Sequence, residues 1–183
     1  MSKDFAGIII EEAEIKAKVD EMGRQITEYY SSLGIKELVI IGILRGAVIF
    51  MSDLIRKIDL PMTIDFMAIS SYGTSATSSG SVRVLKDVSE SIEGKHLLIV
   101  EDIVDTGLTL QCLKNLLWAR NPKSLHLCSF LSKPSRRLTD VTVDFCGFEI
   151  PDEFVVGYGL DYAGKYRQLP YVAILNPEVY AKI

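Results

Sequence analysis

A chain of 183 residues and 20.4 kDa has the size of one domain with at most a small appendage, not of two large ones. Apolar residues make up 48% and charged residues 24%, a globular balance that excludes disorder, collagen-like repeats and coiled coil as the main theme. With 20 basic against 24 acidic residues and a pI near 5.3, the chain does not advertise nucleic-acid or membrane binding, so any anion it takes must be held locally.

From Ile15, the apolar residues Val19, Met22, Ile26, Tyr29 and Leu33 recur at spacings of four and three, which predicts a helix with one buried face ending at Gly34. LVIIGIL at 38–44 is too short for a buried helix and rich in β-branched residues, so it reads as a central strand buried on both faces. A helical stretch to about Lys57 follows. Further strands are predicted at 63–69, 97–103, 125–131, 143–148, 154–159 and 171–175. Strands separated by helical patterns imply βαβ units and a parallel sheet covered on both faces. Between two of them lies SSYGTSATSSGS at 70–81, with six serines and no charge. A short strand-like segment over 82–85 follows it, so it reads as a mobile loop of one domain and not as a linker between two.

Three cysteines, Cys112, Cys128 and Cys146, each lie in an apolar stretch and read as buried thiols, not as a disulfide or zinc framework. His96 and His126 have no ligand or carboxylate at useful spacing and receive no catalytic role. The N-terminus has no basic-then-apolar leader and no apolar run spans a bilayer, so the protein is expected to be soluble and cytoplasmic, without membrane or nucleic-acid partners.

Most of the chemistry lies in LLIVEDIVDTGLTLQCLKNLLWA at 97–119. Aliphatic residues run into Glu101 and Asp102, then Asp105-Thr106-Gly107-Leu108-Thr109, then Leu110, Leu113 and Leu117 at helical spacing. The order is strand, acidic pair, tight turn, helix. Ligands bind beyond the carboxyl ends of parallel strands, and a turn entering a helix offers free N–H groups to an anion. A glycine for close approach and two threonine hydroxyls give residues 105–109 the composition of a phosphate cradle. A helix cap and a turn would explain Asp105, Thr106 and Gly107 equally well. That reading does not explain two adjacent carboxylates at the end of a buried strand, which are costly unless a cation or hydroxyls are near. Pair and cradle together suggest a ligand with a sugar diol and a phosphate, attended by magnesium. The turn matches neither the dinucleotide fingerprint nor the P-loop. Lys133-Pro134 matches a phospho-acceptor receiver domain, but such a domain would also need an acidic pair near its N-terminus and a shorter chain.

VEDIVDTGLTL at 100–110 resembles the phosphoribosyl-diphosphate motif of the type I phosphoribosyltransferases. GILRGAVIF at 42–50, the SSYG that opens the serine-rich loop, LSKPSRR at 131–137 and PDEFVVGYGLDYAGKYRQLPYV at 151–172 follow that family's order. They narrow the resemblance to its bacterial hypoxanthine-guanine branch. The resemblance implies an α/β fold of the type I phosphoribosyltransferase kind: a mainly parallel twisted sheet flanked by helices, with a hood from the N-terminal segment and about 150–183, and a flexible lid at about 70–81, all in one domain over 1–183. It implies purine salvage: the 5-phosphoribosyl group passes from phosphoribosyl diphosphate to hypoxanthine or guanine, giving IMP or GMP plus pyrophosphate, with Mg2+ as cofactor and a dimer or tetramer as the assembly.

By the same resemblance, Asp105 to Thr109 hold the 5′-phosphate, Glu101 and Asp102 meet the ribose hydroxyls and magnesium, and Asp105 is the proton acceptor at the purine's imidazole nitrogen. Leu44-Arg45-Gly46 matches the pyrophosphate loop, in which lysine is also common at the middle position and the preceding peptide is often cis. Arg167 matches a further pyrophosphate contact. Lys133 matches the donor to the 6-oxo group, Phe154 the ring that stacks on the base, Val155 the backbone at its edge, and Asp161 a ligand of a second magnesium. Ser71 and Tyr72 would close over the site with the lid, and Leu108 stands where some relatives carry lysine. Taken alone, Lys133 reads as a solvated lysine and Phe154 and Val155 as core. A non-catalytic nucleotide sensor on the same fold is the alternative; the acidic net charge and the intact purine set favour the enzyme.

Overall fold

The computed structural model describes residues 3–71 and 82–180; Tyr72 and the rest of the loop to Ser81 lie outside the described residues. Among the described residues, nine strands and four α-helices run in the order β1 (Phe5–Ile10), α1 (Glu12–Ser32), β2 (Leu38–Leu44), α2 (Val48–Ile55), β3 (Met62–Ser71), β4 (Val82–Lys86), β5 (His96–Val104), α3 (Leu108–Trp118), β6 (Ser124–Ser132), β7 (Phe145–Glu149), β8 (Val155–Val156), β9 (Val172–Leu175) and α4 (Pro177–Tyr180). Six strands form one sheet in the order β4-β3-β2-β5-β6-β7, parallel except for the antiparallel β3–β4 pair.

Period-two burial makes this sheet the middle of two cores. Leu38 and Ile40 of β2 and Leu98 and Val100 of β5 join the cluster under α1 and α2. Their alternates Val39, Ile41, Leu97 and Ile99 join Leu110, Leu113 and Leu117 of α3 on the other face. Both faces are therefore covered, as the continuous aliphatic strands require.

Helix α1 begins with a capping box, in which the Glu11 side chain accepts from the Glu14 N–H while the Glu14 side chain accepts from the Glu11 N–H. It ends just before Gly34, whose φ of 67° suits a glycine. The predicted stripe holds from Ile15 to Ile26 and then departs. Tyr30 is buried, whereas Tyr29 and Leu33 are exposed. Both hydroxyls bracket His126, Tyr30 at Nδ1 and Tyr29 at Nε2, each at 3.0 Å, but only the Tyr30 ring enters the core cluster under α1 and α2. Burial pushes the Tyr30 hydroxyl well above the usual tyrosine range.

Four further expectations are corrected. β8 and β9 do not extend the main sheet; with β1 they form a separate antiparallel sheet, β1-β9-β8. No α-helix joins β6 to β7, only the short turn Pro134–Arg136, so the βαβ pattern stops at β6. β4 pairs antiparallel. Of the cysteines only Cys128 is buried; Cys112 is half-buried and Cys146 exposed.

Candidate active site

From β2 the chain moves outward to β3, and from β5 in the opposite direction through β6 to β7, so the order reverses between β2 and β5. A crevice opens at such a switch point beyond the carboxyl ends of the strands. Leu44-Arg45-Gly46 leaves β2 there, with a cis peptide between Leu44 and Arg45, and Glu101 to Val104 ends β5 beside it. The approach is close: a Cβ on Gly46 would lie 1.5 Å from Asp102 Oδ2, and one on Gly159 would lie 2.1 Å from the Gly46 carbonyl oxygen. Arg45 is exposed, and its side chain has no ion pair among the described residues.

Beyond β5, Gly107 enters α3 with φ 82°, and no side chain caps the helix. The amide groups of this first turn are therefore open, flanked by half-buried Thr106, Leu108 and Thr109. The turn is anchored from the β6 side. Arg137 donates to the Asp105 carbonyl at 2.8 Å and to Ser132 Oγ at 2.7 Å, and the Leu138 N–H donates to the Thr106 carbonyl at 2.9 Å.

A cleft of about 560 Å³ sits against these elements. Of the residues singled out from sequence, Asp102, Asp105, Lys133, Phe154, Val155 and Asp161 line it. Lys133, at the end of β6, is 8% exposed although it is a lysine; its N–H donates to the Val104 carbonyl at 2.9 Å, and its ammonium lies 3.6 Å from Asp152. The Phe154 ring is 40% exposed, stacked on Tyr180 at 5.2 Å and edge-on to Tyr162 at 5.6 Å. Val155 is buried in β8. Glu101, Leu44 to Gly46, Thr106 to Thr109 and Arg167 are not in the lining. Arg167 connects to it instead, pairing with Asp161 and donating to the Gly159 carbonyl.

Residues 9–163 match the model of the phosphoribosyl transferase domain. The chain belongs to that family. It is 55% identical over 170 residues to a hypoxanthine phosphoribosyltransferase of Salmonella typhimurium, covering 93% of this chain and 95% of the relative. It is 49% identical over 181 residues to a hypoxanthine-guanine phosphoribosyltransferase of Bacillus subtilis, covering 98% of each. Among solved structures, a Trypanosoma cruzi hypoxanthine phosphoribosyl transferase, studied for the role of its C-terminal region in oligomeric state and enzymatic activity, superposes with a TM-score of 0.94 at 40% identity, covering 99% of this chain and 96% of that one. The type I phosphoribosyltransferase fold expected from sequence is the fold observed.

In this phosphoribosyltransferase the acidic pair is electrostatically costly, as the sequence suggested. Burial pushes the Glu101 carboxyl well up from the usual carboxylate range, and Asp102 beside it adds to the rise. Burial also pushes Asp102 up to about 6, against its hydrogen bond from the Ile103 N–H at 2.8 Å and the nearby Arg167. No group of three or more His, Cys, Asp or Glu among the described residues forms a cage for a metal. The two adjacent carboxylates of Glu101 and Asp102 fit magnesium, which takes one or two carboxylates, keeps waters and fills its remaining positions with substrate oxygens. Asp161 is partly committed, accepting from the Gly164 N–H at 2.7 Å while paired with Arg167.

A carboxyl raised in the folded state contributes stability that is present below its unfolded value near 4 and lost as the pH rises through about 6. In metal-free buffer, Asp102→Asn should therefore gain stability relative to wild type between pH 4 and pH 7.5, on the order of 2 kcal/mol once partial exposure is allowed for. Urea denaturation at the two pH values reads this directly. A difference that does not change with pH would show that the carboxylate carries no such penalty.

Besides the apolar Ile103 and Leu160, the sequence reading missed four lining residues: Arg136, Asp152, Glu153 and Tyr180. The first three lie inside the motifs LSKPSRR and PDEF, so the signal was present but carried no role. Tyr180 belongs to a four-residue helix that no periodicity could reveal.

Proposed function

We propose that this protein is a purine-salvage enzyme, transferring the 5-phosphoribosyl group from phosphoribosyl diphosphate to hypoxanthine or guanine and releasing pyrophosphate with IMP or GMP. The observation that carries the reading is the meeting of Asp105, Lys133, Phe154 and Asp161 around one cleft beside Asp102. A purine stacked on Phe154 would have its 6-oxo group toward Lys133, its imidazole edge toward Asp105 and its far edge toward the Val155 backbone. The amide groups and hydroxyls of residues 106–109 would hold the 5′-phosphate, with Leu108 contributing backbone only.

In the transfer, the bond from the anomeric carbon to the pyrophosphate oxygen breaks as a bond to the purine nitrogen forms, and Asp105 takes the proton released from the imidazole ring. Arg45 and Arg167 would take up the charge of the leaving pyrophosphate. Glu101 and Asp102 would hold one magnesium and Asp161 a second, and these would supply charge neutralisation at the ribose and pyrophosphate oxygens. The same reading treats the chain as one functional unit, with the β1-β9-β8 sheet as a hood over the cleft. It also takes the protein to be a dimer or tetramer in the cytoplasm. No helix among the described residues is long and apolar enough to cross a membrane.

The deciding experiment offers phosphoribosyl diphosphate, magnesium and each purine base, and follows pyrophosphate release. Hypoxanthine and guanine should both react. Adenine should be at least about tenfold worse in kcat/KM, because the near-buried Lys133 ammonium finds no acceptor in a 6-amino group and loses its partner on the base. Comparable turnover of adenine would remove Lys133 from base recognition. No release with any base would turn the reading to the nucleotide sensor.

A further inference from the structure

Four charged groups of alternating sign line one wall of the cleft. Arg136 Nε donates to Asp105 Oδ1 at 3.1 Å, and Arg136 Nη1 reaches Asp152 Oδ2 at 3.5 Å. The other oxygen of Asp152 lies 3.6 Å from Lys133 Nζ. One guanidinium thus spans two carboxylates, and the second carboxylate splits its oxygens between the arginine and the lysine. Asp105 beside Arg136 raises the guanidinium's affinity for its proton further.

The backbone at both ends of this chain of charges is already fixed. Arg137 holds the Asp105 carbonyl, and Val104 accepts from the Lys133 N–H. What remains free is the swing of the side chains, and the Asp105 carboxylate is 43% exposed and therefore able to swing. Lys133, 10% exposed at its side chain, is held only loosely at 3.6 Å, which leaves its donors available. Both groups are read above as meeting adjacent edges of one purine, where small displacements of reacting groups are costly.

We infer that Arg136 is a positioning residue for the transfer. Through its fork it aims the Asp105 carboxylate, and through Asp152 it sets where the Lys133 ammonium waits, so that proton acceptor and 6-oxo donor are held in one charged unit. This rests on the function proposed above. Nothing else among the described residues bridges the two ends: the remaining charged residues of the lining, Asp102, Glu153 and Asp161, are acidic. A lysine at position 136 could meet one carboxylate but not both, because the planar fork is what spans them.

The test is steady-state kinetics with hypoxanthine and phosphoribosyl diphosphate on Arg136→Gln, Arg136→Lys, Asp152→Asn and Arg136→Gln in the Asp105→Asn background. The side chain is exposed, so folding is not at stake. Arg136→Gln should lower kcat by about five- to tenfold, the scale of one half-exposed charged hydrogen bond, with KM for phosphoribosyl diphosphate unmoved. Arg136→Lys should recover only part of that loss, and Asp152→Asn should raise KM for hypoxanthine more than it lowers kcat. In the Asp105→Asn background, Arg136→Gln should cost little more, since its target no longer accepts a proton. Wild-type turnover with Arg136→Gln at the wild-type kcat overturns this inference alone, as does an equal loss in both backgrounds. Absence of turnover by the wild-type protein overturns the proposed function and this inference with it.

Discussion

Asp105→Asn should lower kcat by roughly a hundred- to ten-thousandfold, the range that a positioned general base supplies, while affinity for phosphoribosyl diphosphate falls much less. The substitution keeps size and polarity and removes only the capacity to take a proton. Binding survives because the phosphate-holding groups are the turn amides and the hydroxyls of Thr106 and Thr109, none of which the change touches. Sequence alone left a rival: Asp105 as a plain helix cap, in which case asparagine would serve equally well. The structure narrows that choice, since α3 is capped by Gly107 with no side-chain hydrogen bond and Asp105 instead accepts from Arg136 on the cleft wall. Pre-steady-state turnover together with direct ligand titration separates the two quantities. A variant with wild-type kcat would end the proton-acceptor role.

Local physics made most of the fold readable. LVIIGIL is β2 to the residue, because a run of β-branched and aliphatic side chains bounded by charge and glycine has no other low-energy use. Likewise the passage from Glu101 to Leu117 reads as strand, acids, turn and helix from composition and periodicity alone. What escaped was set by contacts distant in sequence. FAGIII at β1 carries no alternation that marks a strand, and its pairing with β9 contains two register irregularities. Tyr30 is buried and Tyr29 exposed although both rings reach His126 and Phe145 on the sheet, a choice that the spacing of apolar residues does not carry. Asp152 and Arg136 sat in recognised motifs, yet their part in the site depends on a turn of chain that folds back across the cleft. The same holds for the pyrophosphate loop: no pattern in GILRGAVIF says that its glycine lies against Asp102, since that follows from the reversal of strand order between β2 and β5.

That approach supports the second large effect. Gly46→Ala would place a methyl carbon 1.5 Å from Asp102 Oδ2 and 2.4 Å from its Cγ, separations that no side chain tolerates. Retreat is blocked on both sides. The Asp102 Oδ1 is tied to the Ile103 N–H on a central strand, and the Gly46 carbonyl already lies where a Cβ on Gly159 would be 2.1 Å away. Something must therefore move, and the movable parts are the Asp102 carboxylate and the Leu44-Arg45-Gly46 turn, which are the groups proposed to hold magnesium and pyrophosphate. Overpacking of this kind costs about 1–3 kcal/mol. If that cost falls on the geometry the transfer needs, kcat/KM drops by about a hundredfold, the equivalent of roughly 2.7 kcal/mol. The clash lies at the rim of the sheet and not in either core, so melting should stay cooperative, with Tm only modestly lowered. Gly7→Ala is the matched control, because a Cβ there meets nothing within 4 Å and both activity and Tm should be unchanged. Full activity in Gly46→Ala would mean that the Asp102 carboxylate can swing aside at no cost, and that the closeness of β2 and β5 at the switch point is packing without function.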